Sequence, residues 1–100
     1  MEKDKLLIVC SIDEKGTKKC KLNEEMKWER DKITGVFKSG NWRMWRGIDN
    51  CIYLTNELWS SGAKEVIGCY ETEKEAGNNL QKLLKNEPIE VALFGEWLLY

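Results

Sequence analysis

The stretch Lys38-Ser39-Gly40-Asn41-Trp42-Arg43-Met44-Trp45-Arg46 interleaves cations, indoles and a glycine. Read as a strand, it puts Trp42, Met44 and Arg46 on one face and Arg43, Trp45 and Gly47 on the other. Each face couples a Trp with an Arg. Burying a guanidinium without a partner is costly, so at least one face is expected to reach solvent or a ligand. Trp and Arg are also the residue types most enriched at protein–protein hot spots. Lys38, Trp42, Arg43, Trp45 and Arg46 are therefore the candidate binding residues. The competing reading is a half-buried Trp with an Arg laid over its ring as a cation–π cover.

Other chemistries find less material. The chain has no His, which removes Cys–His and Ser–His–Asp arrangements and His-bearing zinc sites. Neither G-x-x-x-x-G-K-[ST] nor G-x-G-x-x-G occurs. Carboxylates cluster at Glu24/Glu25 and at Glu71, Glu73 and Glu75, a pattern that can do acid–base work or hold Mg²⁺. Glu73 and Glu75, however, fall in the first turn of a capped helix, where the helix dipole favours negative charge. The sequence thus assigns no catalytic residue, no metal ligand and no cofactor, and a non-enzyme is expected.

Cys10, Cys20, Cys51 and Cys69 are separated by gaps of 10, 31 and 18 residues. No C-x-x-C exists, which argues against a zinc knuckle and a thioredoxin-like pair. Four cysteines allow three disulfide connectivities. With no secretory signal visible, a reducing, cytoplasmic location and free thiols are the expectation. Cys10, Cys51 and Cys69 lie in apolar runs, where Cys serves as a small hydrophobe.

Elements that would position these residues follow from periodicity. Lys5–Ile12 reads as a strand, Asp13–Gly16 as a turn, and Thr17–Leu22 as its hairpin partner. Asn23–Lys32 fits either a short helix capped by Asn23 or, the preferred reading, extended structure with Leu22, Met26, Trp28 and Arg30 at period two. Ile33–Lys38, Trp42–Gly47 and Cys51–Thr55 read as three strands joined by tight turns, an antiparallel meander. A short helical turn follows at Glu57–Trp59, then a strand over Lys64–Tyr70. Thr72 and Glu75 form a capping box, and Ala76, Leu80, Leu83 and Leu84 share one helix face. Pro88 stops that helix. Ile89–Tyr100 reads as a last strand, apolar on both faces and expected to be central. Its end, Trp97-Leu98-Leu99-Tyr100, is expected to dock on the sheet or across a homodimer interface.

The whole is expected to be one α+β domain over residues 1–100. About five to seven antiparallel strands, rich in meanders, would carry one main amphipathic helix on one face. One hundred residues suffice for one modest core. The longest apolar run near the start, Leu6–Cys10, is too short for a membrane span. Net charge is −1, distributed as +2 over residues 1–40, +1 over 41–64 and −4 over 65–100. That balance gives little support to nucleic-acid binding, and the Trp/Arg strand departs from the RNA-recognition pattern.

The leading functional expectation is a small non-enzymatic protein that binds a protein partner stoichiometrically, as an inhibitor or adaptor. Small phage or mobile-element accessory proteins, including inhibitors of host defence, share its size and lack of motifs. The second reading is a small-ligand or nucleotide binder, with Trp28, Trp42, Trp45 and Trp59 as stacking walls and Arg43 or Arg46 for an anionic group. Single-stranded nucleic-acid binding ranks third.

Overall fold

A computed structural model describes residues 7–92. Its elements are β1 (Ile8–Ile12), β2 (Lys18–Leu22), β3 (Glu29–Arg30), β4 (Phe37–Ser39), β5 (Trp42–Arg46), β6 (Cys51–Asn56), β7 (Glu65–Cys69), α1 (Glu73–Leu84) and β8 (Ile89–Glu90). The fold is α+β, as the periodicity predicts. The strands divide into two antiparallel sheets, of order β1-β2-β8 and β3-β4-β5-β6-β7. The larger sheet is an uninterrupted meander.

The division into two sheets comes from the segment after β2. Residues 23–28 are neither helix nor long strand. Met26 and Trp28 instead turn onto the core, so the chain leaves the first sheet before β3 starts the second. No helix forms at Asn23, despite its capping sequence. The expected strand Ile33–Lys38 is also shortened. The Asp31 carboxylate accepts the amides of Ile33 (2.8 Å) and Thr34 (3.0 Å), and Gly35 takes φ +78°. This side-chain-closed turn competes with the ladder for the same amides. Ile33 is left 94% exposed, and pairing starts only at Arg30 and Phe37.

Helix α1 forms as its sequence dictates. Thr72 Oγ1 accepts the Glu75 amide at 3.1 Å. At the other end Asn86 adopts φ +62°, while the amides of Glu87 and Asn86 donate to the Lys82 and Leu83 carbonyls (2.9 and 3.0 Å). That is a Schellman closure, with Asn in the usual glycine place. Ala76, Leu80 and Leu83 are buried with Met44, Ile52 and Leu54 of the large sheet and Cys20, Leu22 and Ile89 of the small one. The helix is thus the shared core element of both sheets. Tyr70 locks the junction, its hydroxyl donating to the Glu90 carbonyl at 2.6 Å. Burial pushes that hydroxyl's pKa up to about 12.

The cysteines correct the expectation of free thiols. Cys10 is bonded to Cys20 and Cys51 to Cys69. Each pair joins residues directly opposite one another, in β1–β2 and β6–β7 respectively. Strand register selects this connectivity, information that the gaps between cysteines do not contain. With these thiols paired, cysteine usage gives no support to a reducing compartment.

The last expected strand is described only in part. Its first portion, β8, flanks β2 and is not in the larger sheet. Beyond it, the Val91 amide donates to the Lys18 carbonyl (2.8 Å) and the Ala92 carbonyl accepts from the Cys69 amide (2.6 Å). Residues 91 and 92 therefore tie the two sheets together. The remainder of the expected strand, with the expected docking of Trp97–Tyr100, lies outside the described residues. Among the described residues, no helix is long and apolar enough to cross a membrane.

Candidate functional site

Cross-strand register sorts the large sheet into two faces. Phe37, Met44 and Leu54 are opposite one another, as are Arg46 and Ile52. This face meets α1, and Met44, Ile52 and Leu54 are buried. On the opposite face, Glu29, Lys38, Arg43 and Thr55 form one row, and Trp45, Tyr53 and Val66 the next. That outer face is the candidate site.

The predicted binding residues divide between the two faces. Lys38, Arg43 and Trp45 lie on the outer face. Trp42 and Arg46 do not. Trp42 packs against the core and meets Trp59 edge-on, with ring centroids 5.6 Å apart. Arg46 donates from Nη2 to the Glu73 carboxylate at 3.2 Å, joining β5 to the first turn of α1. Its guanidinium therefore meets its charge partner within the fold. Of the other predicted stacking walls, Trp28 packs on the core and Trp59 lies beside Trp42. The four indoles do not converge on one pocket.

Sequence reading missed Tyr53 and Lys64. The Tyr53 ring stacks on Trp45 with centroids 5.6 Å apart and planes 24° apart. Lys64 Nζ lies 4.8 Å from the Tyr53 centroid, a cation–π distance. The signal was present in β6, where Tyr53 and Thr55 alternate with Ile52 and Leu54, marking an outward face that also carries an aromatic.

The aromatic pair is held from beneath. Gly47 and Asn50 close the β5–β6 turn, with Asn50 at φ +64°. Tyr53 donates its hydroxyl to Asp49 in that turn, and Asp49 also accepts the Cys51 amide at 3.2 Å. The Tyr53 bond is the main reason the Asp49 carboxyl sits below its usual pKa, and the same bond is the main reason the Tyr53 hydroxyl sits above its own. A Cβ on Gly47 would lie 2.6 Å from Asp49 Oδ1 and 2.7 Å from the Tyr53 ring. Glycine is required there so that Tyr53 can lie against the backbone.

Charges around the pair are organised too. Arg43 bonds to Glu57, and Lys38 Nζ lies 3.5 Å from Asp31. The carboxylates of Glu57, Asp31 and Asp49 are thus engaged within the fold, and Lys64 covers an aromatic ring. What the face offers is an indole–phenol stack rimmed by charges of both signs, with Arg43 paired to Glu57 and Lys38 to Asp31. It can bury an apolar group, with the paired charges around it available for polar contacts.

Two acids of the Glu71–Glu75 cluster have structural partners: the Glu75 carboxylate accepts from Thr72 Oγ1 at 3.4 Å and Glu73 pairs with Arg46. Among the described residues, one cleft of about 490 Å³ runs beside α1 between Lys19, Tyr70, Glu75, Asn79, Lys82 and Glu90. Another, of about 450 Å³, adjoins the aromatic stack at Lys64 and is bounded by Leu58, Trp59, Ala63 and Lys64. Comparison of the chain with protein-family models, curated proteins and solved structures returns no match.

Proposed function

We propose that this is a non-enzymatic binding protein that acts stoichiometrically on a protein partner, as an inhibitor or adaptor. It docks through the outer face of the five-stranded sheet. The observation that carries the reading is the Trp45–Tyr53 stack, set on the face turned away from the helix and flanked by Lys38, Arg43 and Lys64. A preformed aromatic anchor loses little side-chain entropy on binding, and aromatic and Arg side chains dominate interface energetics. The matching partner surface presents an apolar group to Trp45 and polar groups to the paired charges around it.

An open face suits a macromolecule better than a small molecule, whose sites are typically concave. Native mass spectrometry of protein purified gently from its source tests this. A stoichiometric polypeptide adduct is expected on the native chain and absent from the Arg43→Ala/Trp45→Ala variant. An adduct of a few hundred daltons would overturn the proposal in favour of small-ligand binding. A polypeptide adduct that survives the double substitution would overturn the placement of the surface.

A further inference from the structure

The two disulfides occupy opposite environments. Cys51 and Cys69 are 8% and 7% exposed. In the other pair, Cys20 is 2% exposed while Cys10 is open to solvent. Cys10 lies in β1, which flanks the small sheet and is hydrogen-bonded there to β2. Thiol–disulfide exchange is an in-line displacement, in which the attacking thiolate approaches one sulfur opposite the other. Approach to Cys20 Sγ would have to come from the side of the core, where Cys20 packs with Leu22, Leu83 and Ile89. Approach to Cys10 Sγ comes from the solvent side.

Charge selects the attacking species. Residues Ile8–Ile12 carry no charge, whereas β2 supplies Lys18, Lys19 and Lys21 around Cys20. Lys18 stands on the disulfide's own face, opposite Ile12. Lys19 and Lys21 stand on the reverse face. Among the described residues, Asp13 lies 3.9 Å from Lys19, Glu90 stands opposite Lys19, and Glu75 lines the same cleft as Lys19. Asp13 and Glu90 lie beside Lys19 on the reverse face, which leaves Lys18 as the lysine on the disulfide's own face.

We propose that Cys10–Cys20 is an exchange site for a small anionic thiol, and that Cys51–Cys69 is the inert structural bridge. The thiolate attacks Cys10 Sγ and forms a mixed disulfide there. The Cys10–Cys20 bond breaks, its electron pair leaves on Cys20, and Cys20 takes a proton from water. The reverse attack by the Cys20 thiolate expels the small thiol and restores the bridge. No further oxidant or reductant enters the cycle.

The test exposes the native full chain to glutathione, with acid quenching and peptide mass spectrometry of each cysteine. The first adduct is expected on Cys10, with Cys20 as a free thiol and Cys51–Cys69 intact. Opening of Cys10–Cys20 should be roughly tenfold or more faster than opening of Cys51–Cys69. At equal thiolate concentration and low salt, glutathione should react several-fold faster than cationic cysteamine, after correction for their rates with a neutral model disulfide. That preference should shrink in about 0.5 M salt and in the Lys18→Gln variant. A first adduct on Cys20, equal opening of the two bridges, four free thiols in untreated protein, or no preference for the anion would overturn the proposal.

Discussion

At the scale of single residues, two tryptophans three positions apart have different jobs. Trp42 packs against the core and Trp59, whereas Trp45 stacks on Tyr53 at the outer face. Trp42→Ala should therefore cost about 2 kcal/mol or more of stability through lost packing. Trp45→Ala should cost only about 1 kcal/mol, the order of one aromatic pair. Paired denaturant titrations check the contrast. Tyr53→Phe removes the bond to Asp49 and should cost about 0.5–1.5 kcal/mol at neutral pH. It should also flatten the pH dependence. Because folding lowers the Asp49 pKa, its contribution is present above the ordinary value of 3.8 and is lost as pH falls through the lower folded value. Because folding raises the Tyr53 pKa, its contribution is present below the ordinary 10.0 and is lost as pH rises through the higher folded value. Unfolding midpoints of native protein and variant, compared at acidic, neutral and alkaline pH, should differ most at neutral pH. The pairing of Trp and Arg along β5 was legible from alternation alone. That Arg46 meets a carboxylate from α1 was not, since Glu73 is 27 residues away.

At the scale of elements, local signals succeeded wherever they agreed with packing. The capping box at Thr72, the apolar face from Ala76 and the stop at Pro88 all point to one helix, and α1 forms there. The hairpins around Gly16 and Gly40 were equally plain, since both glycines adopt positive φ. Asn23–Lys32 was ambiguous for a tertiary reason. Met26 and Trp28 satisfy the core from an irregular segment, and no local periodicity encodes that. The Asp31 turn was missed because its carboxylate takes amides that Ile33 and Thr34 would otherwise offer to a ladder. Helix α1 itself is not optimised. Gly77 is interior to it, and a side-chain methyl there would meet nothing within 4 Å. Gly77→Ala should raise stability by about 0.5–1 kcal/mol. Thr72→Ala should lower it by about 1 kcal/mol through loss of the N-cap. Thermal denaturation monitored at a helix-sensitive wavelength checks both signs.

At the scale of the whole molecule, α1 packs against both sheets, Val91 and Ala92 tie them together through the backbone, and each sheet carries one disulfide. The sequence could not choose among the connectivities, because the choice depends on which strands are neighbours in space. In the loop-entropy view, bridges closing 10 and 18 residues each contribute about 3 kcal/mol. Cys51→Ala/Cys69→Ala should therefore lower unfolding free energy by that order, measured in denaturant without reductant. Helix α1 packs on the inner face, away from the outer row Lys38, Arg43, Trp45 and Tyr53, whereas Cys51 alternates onto the same face as Tyr53, so the Cys51–Cys69 bridge fastens the β6–β7 side of that face. The role of the outer face in binding is the central claim. The most direct test is isothermal titration of the co-purifying partner protein against native chain and the Trp45→Ala variant, with melting curves confirming that the variant is folded. A loss of about 2 kcal/mol in binding free energy, roughly 30-fold in Kd, is expected for a hot-spot aromatic. Equal affinity for the folded variant would contradict the claim and move the working surface elsewhere.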